Sequence, residues 1–174
     1  MAAALSAIRC IVVDVDGTLT DGGIYYDNAG NEFKKFCTRD GAGFLAARQV
    51  GIKLMALTGR ECYAVQRRME EFQFAVVEQN VRNKTKRLAE LMREHGLCRE
   101  DMAFIGDDLN DIGAMRQCGF VGCPLDACIE VRQIAHYISP YKGGYGAARD
   151  VIAFLLRARG QWADAVKRGY NLNP

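Results

Sequence analysis

Ile8-Arg9-Cys10-Ile11-Val12-Val13-Asp14-Val15-Asp16-Gly17-Thr18 is the stretch on which the fold turns. A short apolar, β-branched run ends in two carboxylates and a glycine, the pattern of a buried parallel strand whose carboxyl end opens into a loop. The pattern returns downstream. Residues 52–57 are a second apolar run ending at Thr58-Gly59-Arg60, residues 74–77 a third, and residues 102–105 a fourth that runs into Gly106-Asp107-Asp108-Leu109-Asn110-Asp111. Helical spacing fills the intervals at 40–50, 61–72, 83–95, 111–118, 129–134 and 147–157, with further short strands expected at 119–122 and 136–138. Strands alternating with helices predict an α/β, Rossmann-like fold: a parallel sheet flanked by helices on both faces. One departure from the alternation lies at about residues 22–36, where two extended runs flank Asp27-Asn28-Ala29-Gly30-Asn31 and read as a protruding β-hairpin.

The chain of 174 residues and 19.3 kDa suits one domain, residues 1–160, with a C-terminal tail at 161–174. At 49% hydrophobic and 25% charged residues, with a mean hydropathy of −0.11, it reads as neither disordered nor membrane-embedded. The 23 basic and 21 acidic residues leave a formal charge of +2, too little for a global field that gathers nucleic acid or anionic lipid. The apolar N-terminal segment has no basic leader and is interrupted by Arg9, which argues against an export signal. Seven cysteines, an odd number with no Cys-x-x-Cys, fit neither a disulfide framework nor a zinc ribbon, so a reducing cytoplasm is expected.

In open α/β sheets, ligands bind beyond the carboxyl ends of the strands. Asp14, Asp16, Asp107, Asp108 and Asp111 should therefore share one rim, with Thr58, Gly59 and Lys84 beside them. Like charges 4 Å apart repel by about 4 kcal/mol per pair at an effective dielectric near 20, so a cation must offset them. Oxygen ligands without histidine or cysteine point to a hard ion, and a shared phosphate favours Mg²⁺ over Ca²⁺. With that charge neutralised, Asp14 can attack phosphorus, Asp16 can manage the proton at the leaving oxygen, and Thr58, backbone N–H groups and Lys84 can hold the phosphoryl oxygens.

These residues carry a resemblance to the haloacid dehalogenase phosphatase superfamily, whose four motifs occur in order: Asp14 to Thr18, Thr58, Lys84, and Asp107 with Asp111. The resemblance implies an aspartyl-phosphate on Asp14, Asp16 as general acid and base, and Mg²⁺ held by Asp14, the backbone carbonyl of Asp16, and Asp107. Asp111 would orient these groups, with Asp108 and Asn110 in support. The intervals between motifs leave no room for a cap domain.

Over nearly its whole length the chain is similar to capless phosphatases acting on 3-deoxy-D-manno-octulosonate (KDO) 8-phosphate and to relatives acting on nine-carbon sialic-type sugars. The similarity rests on Leu19 to Asp27, Arg39-Asp40-Gly41, Gln79, and Gly143-Gly144-Tyr145-Gly146-Ala147 with Arg149. It implies a homotetramer assembled through the hairpin, and Arg60, Gln79 and Arg149 as sugar contacts. Arg60 matches the eight-carbon enzymes, whereas Ala42, Tyr145 and Asp150 depart from the common pattern. Three other readings stay open: a non-catalytic phosphatase-like assembly module, a cysteine phosphatase loop from Cys62 to Arg68, and a receiver domain that stores phosphate on Asp14. The second conflicts with a helix predicted across 61–72, which lacks the glycines such a loop needs.

Overall fold

The computed structural model describes residues 5–172. Its sheet has six parallel strands: β1 (Cys10–Val13), β4 (Lys53–Leu57), β5 (Val76–Glu78), β6 (Met102–Ile105), β7 (Phe120–Cys123) and β8 (Tyr137–Ile138), in the order β5-β4-β1-β6-β7-β8. The apolar run of the first motif lies mid-sheet, with Val13 opposite both Ala56 and Ile105. All four β1 residues are buried, which is why that run lacks polar alternation. The chain leaves β1 towards β4 and β5 on one side and later returns to β6 on the other, so a crevice opens at the carboxyl ends of β4, β1 and β6.

Alternate strand residues feed two cores. Ile11, Val13, Leu54, Ala56, Ala103 and Ile105 face α1 (Asp40–Gln49), α2 (Tyr63–Glu71) and, later in the chain, α6 (Ala147–Ala158), burying Phe44, Met69 and Ile152. Cys10, Val12, Met55, Leu57 and Phe104 face α3 (Lys84–Glu94), α4 (Ile112–Met115) and α5 (Ile129–Ile134), burying Leu88, Met115 and Val131. At roughly 1.5–3 kcal/mol per large apolar side chain, these two layers are the main favourable contribution to folding.

The helix predicted at 111–118 is shorter, ending at Met115, and a 3₁₀ turn at Leu109–Asp111 precedes it, because the Asp108 side chain accepts from the Leu109 N–H at 2.8 Å and starts a tight turn there. The segment read from sequence as a tail contains α7 (Trp162–Tyr170), which packs on α1 with Gly169 against Leu45 and with Ala165 buried. The hairpin is β2 (Tyr25–Tyr26) against β3 (Glu32–Phe33), antiparallel, closed by Asp27 Oδ1 accepting from the Ala29 and Asn31 N–H groups. No cap domain interrupts the described residues: the hairpin occupies the interval between β1 and α1, and α2 with β5 that between β4 and α3. No helix among them is long and apolar enough to cross a membrane.

Candidate active site

Asp14 follows the last residue of β1, and its N–H donates to the Ile105 carbonyl at 2.9 Å, so the ladder carries the side chain to the crevice floor. Lys84 opens α3, whose N-cap Asn83 accepts from the Lys86 N–H at 2.9 Å. The Lys84 ammonium donates to Asp14 Oδ1 and to Asp111 Oδ1, both at 2.6 Å, and all three side chains are buried. Asp111 turns its other oxygen back to the Asp107 N–H at 3.1 Å, and Asp107 Oδ1 accepts from the Thr18 hydroxyl at 2.8 Å. Asp14, Asp107 and Asp111 each bring an oxygen within 4.8 Å of the others.

Two glycines make this approach possible. A Cβ on Gly17, whose φ is +88°, would lie 2.1 Å from Asp107 Oδ2, and one on Gly106 would lie 2.4 Å from Asp111 Oδ2. A third close approach comes from far along the chain: a Cβ on Gly143 would fall 1.7 Å from the Gly17 carbonyl oxygen, and the Gly144 N–H donates to the Thr18 carbonyl at 3.2 Å.

One lysine against three carboxylates leaves excess negative charge. Burial, then the neighbouring Asp111, raises the Asp14 carboxyl well above its ordinary range although Lys84 opposes both. Asp107 is pushed up to about 7, again by burial first, with the Thr18 hydroxyl pulling down and Asp111 pushing up. Burial alone would lower Lys84, but Asp14 and Asp111 more than offset it. These oxygens gathered against their own repulsion, with no nitrogen or sulfur ligand, fit a hard divalent cation.

Asp16 lies where the chain leaves the strand, and its carboxylate pairs with Lys34, which reaches in from just beyond β3. The Lys34 side chain is 0% exposed and also contacts Glu32 Oε1 at 2.9 Å. Glu32 Oε2 in turn accepts from Arg60 at 2.8 Å, and Arg60 donates to the Tyr26 hydroxyl at 3.1 Å. Lys34 and Glu32 were missed by sequence reasoning, since charged residues in a short hairpin normally face water.

Asp14, Asp16, Thr58, Gly59, Arg60, Asp108 and Asn110 line one cavity of about 170 Å³. Thr58 is buried at the end of β4, whereas Asp108 and Asn110 are exposed at the rim. Gln79 and Arg149 are not brought to this cavity. Gln79 Oε1 accepts from the Cys62 N–H at 2.8 Å at the start of α2, and Arg149 lines a separate cavity beside α6. Cys62 immediately precedes α2, and Arg68, inside that helix, pairs with Glu71 at 2.7 Å, so no phosphate loop joins them.

Comparison with known proteins accords with this geometry. Residues 67–149 match the family model described as haloacid dehalogenase-like hydrolase. A KDO 8-phosphate phosphatase from Haemophilus influenzae is 32% identical over 157 residues, covering 90% of this chain and 87% of that protein. The Escherichia coli K12 enzyme of the same name is 35% identical over 158 residues, covering 91% and 84%. The crystal structure of the KDO 8-phosphate phosphatase from Moraxella catarrhalis, in complex with magnesium, phosphate and KDO, superposes with a TM-score of 0.92 at 34% identity over 96% of each chain. Shared identity at this level over nearly the whole length, with the acidic crevice intact, makes this chain a member of the haloacid dehalogenase-like hydrolase family and a phosphatase.

Proposed function

We propose that this phosphatase hydrolyses KDO 8-phosphate, a phosphomonoester of an acidic keto sugar, in a Mg²⁺-dependent reaction. The observation that carries the chemistry is Lys84 bridging Asp14 and Asp111 at 2.6 Å on the crevice floor. Asp14, Asp107 and the backbone carbonyl of Asp16 would hold Mg²⁺, which when bound offsets the charge of the carboxylates and the phosphoryl oxygens.

Lys84 occupies Asp14 Oδ1, leaving Oδ2 to attack phosphorus. As the new O–P bond forms, the ester O–P bond breaks and the sugar oxygen takes a proton from Asp16. The product of this half is an aspartyl-phosphate. Asp16 then takes a proton from water, the water oxygen attacks phosphorus, and the bond to Asp14 breaks, restoring the carboxylate and releasing phosphate. Thr58, the Gly59 N–H and Lys84 hold the phosphoryl oxygens, while Asp108 and Asn110 support Asp111 at the rim. Arg60, steadied by Glu32 and Tyr26, is suited to pair with the sugar carboxylate.

A homotetramer joined through the hairpin completes the reading. Ile24, Tyr25, Tyr26 and Phe33 are exposed there, Tyr26 at 62%, and a ladder of two residues per strand is too short to be stable without packing partners. Free cysteines throughout the described residues suit a reducing cytoplasm.

Phosphate release measured with and without Mg²⁺, from eight-carbon and nine-carbon keto-acid phosphates and from hexose phosphates, tests the proposal. The eight-carbon ester should have the highest kcat/KM. Preference for the nine-carbon ester would move the enzyme to the sialic-type relatives, and preference for hexose phosphates would overturn the keto-acid reading.

A further inference from the structure

A second concentration of charge, of the opposite sign, lies beside α6. Arg149, Ala153 and Arg157 follow one another at i, i+4 and i+8 along one line of that helix, with the small Ala153 as floor between two guanidiniums. Arg39, just before α1, and Tyr141 complete a cavity of about 150 Å³. Arg39 spends one donor on the Tyr145 carbonyl at 3.0 Å, and its guanidinium carbon lies 5.7 Å from the Tyr141 ring centroid. Arg157 lies 5.4 Å from the Trp162 ring centroid. Among the described residues neither Arg149 nor Arg157 forms a salt bridge, although the charges of Arg39 and Arg149 reach the Asp40 carboxylate and pull its pKa down against burial. The carboxylate in the wall, Asp150, is turned by one oxygen towards β8: its Oδ2 accepts from the Tyr137 hydroxyl at 2.8 Å and the Ser139 hydroxyl at 2.9 Å. Asp40, buried beside the cavity, accepts the Arg149 backbone N–H at 2.9 Å rather than its guanidinium.

We propose that this cavity is a second oxyanion site, taking a phosphate group on the guanidiniums of Arg39, Arg149 and Arg157, apart from the cradle of Thr58 and Lys84. Three planar forks around one partly open cavity match the several oxygens of a phosphate, and binding it would relieve their mutual repulsion. None of the crevice residues lines the cavity. A path to the crevice exists all the same, because a Cβ on Gly146 would lie 3.5 Å from the Arg39 side chain, while Gly143 and Gly144 of the same turn press on Gly17 and Thr18. An occupied site would therefore stiffen the turn that shapes the first motif.

The test is an amide-resolved NMR titration of the full-length, Mg²⁺-loaded protein with inorganic phosphate, at constant ionic strength. The Gly146 and Ala153 amides should shift along a saturable curve distinct from that of Thr58 and Gly59. Arg157→Gln should weaken that curve about tenfold, Arg157→Glu should abolish it, and both should leave the Thr58 and Gly59 response in place. A hexose phosphate run in parallel separates a phosphate ester from the free ion as the ligand. Response of Thr58 and Gly59 alone, or an unchanged Ala153 curve in Arg157→Glu, would overturn the proposal.

Discussion

Lys34 and Asp16 form an ion pair that joins the hairpin to the crevice within a single subunit. The Lys34 side chain is shielded from water and shares its ammonium with Glu32, so Asp16 is held by a group that is itself fixed. Burial works against the Lys34 charge, but Asp16 and Glu32 outweigh it and raise its pKa.

Lys34→Met should lower kcat about tenfold or more while changing KM less than about threefold, because a loosened Asp16 carboxylate affects proton transfer more than binding. Lys34→Arg should recover part of the loss. Steady-state kinetics on both variants, with circular dichroism to verify the fold, checks this. Equal loss in the two would mean that the contact serves only to pack the hairpin.

Asp14→Asn should remove at least about a thousandfold of kcat, since the amide oxygen is a poor nucleophile at phosphorus. Lys84→Met should inactivate and also destabilise the metal-free protein by about 3–5 kcal/mol, because Asp14 and Asp111 lose the cation between them. Mg²⁺ should therefore raise the melting temperature of Lys84→Met more than that of the wild type. Thermal melts in EDTA and in Mg²⁺ compare the two directly.

Gly17→Ala combines a positive φ with a Cβ driven into Asp107. The backbone cost is about 1–2 kcal/mol, or a fall of roughly 2–8 °C in Tm for a chain of this size. Displacement of Asp107 should cost activity out of proportion, about a hundredfold, measured as phosphate release at saturating Mg²⁺. Near-normal turnover in a properly folded variant would show that Asp107 tolerates the shift.

Asp40 gives a pH signature. Burial lifts its carboxyl to about 6, with the Arg149 backbone N–H as the largest opposing influence. A group whose folded pKa is raised binds more protons in the native state, so its contribution falls as pH rises from about 4 to about 6 and is level above that. Asp40→Asn lacks this term. Its stability relative to wild type, from urea melts, should rise by about 2–3 kcal/mol between pH 4 and pH 7. A difference independent of pH would mean that the native carboxyl titrates as in the unfolded chain.

The parallel sheet and the crevice floor were legible because their signals are local. A run such as Cys10 to Val13 with acids at its end has few other uses, and Asp14, Lys84, Asp107 and Asp111 each follow a strand or open a helix, so the topology alone gathers them. Lys34 was not legible, since its inward direction depends on the hairpin folding back over Asp16. Arg149 lies in a recognisable motif, yet the face of α6 on which it emerges is set by packing: a Cβ on Gly43 of α1 would lie 2.9 Å from the Arg149 Cα. Helix α7 depends on packing in a similar way. Its order comes from docking on α1 rather than from propensity in a segment that contains Gly169.

The turn at Gly143 and Gly144 bears on synthesis as well as on geometry. The loop that carries Asp16 and Thr18 leaves the ribosome long before the two glycines that press it into shape are made. A nascent chain can lay down its first strands long before it can turn over a phosphate ester, because competence waits on a turn encoded far downstream.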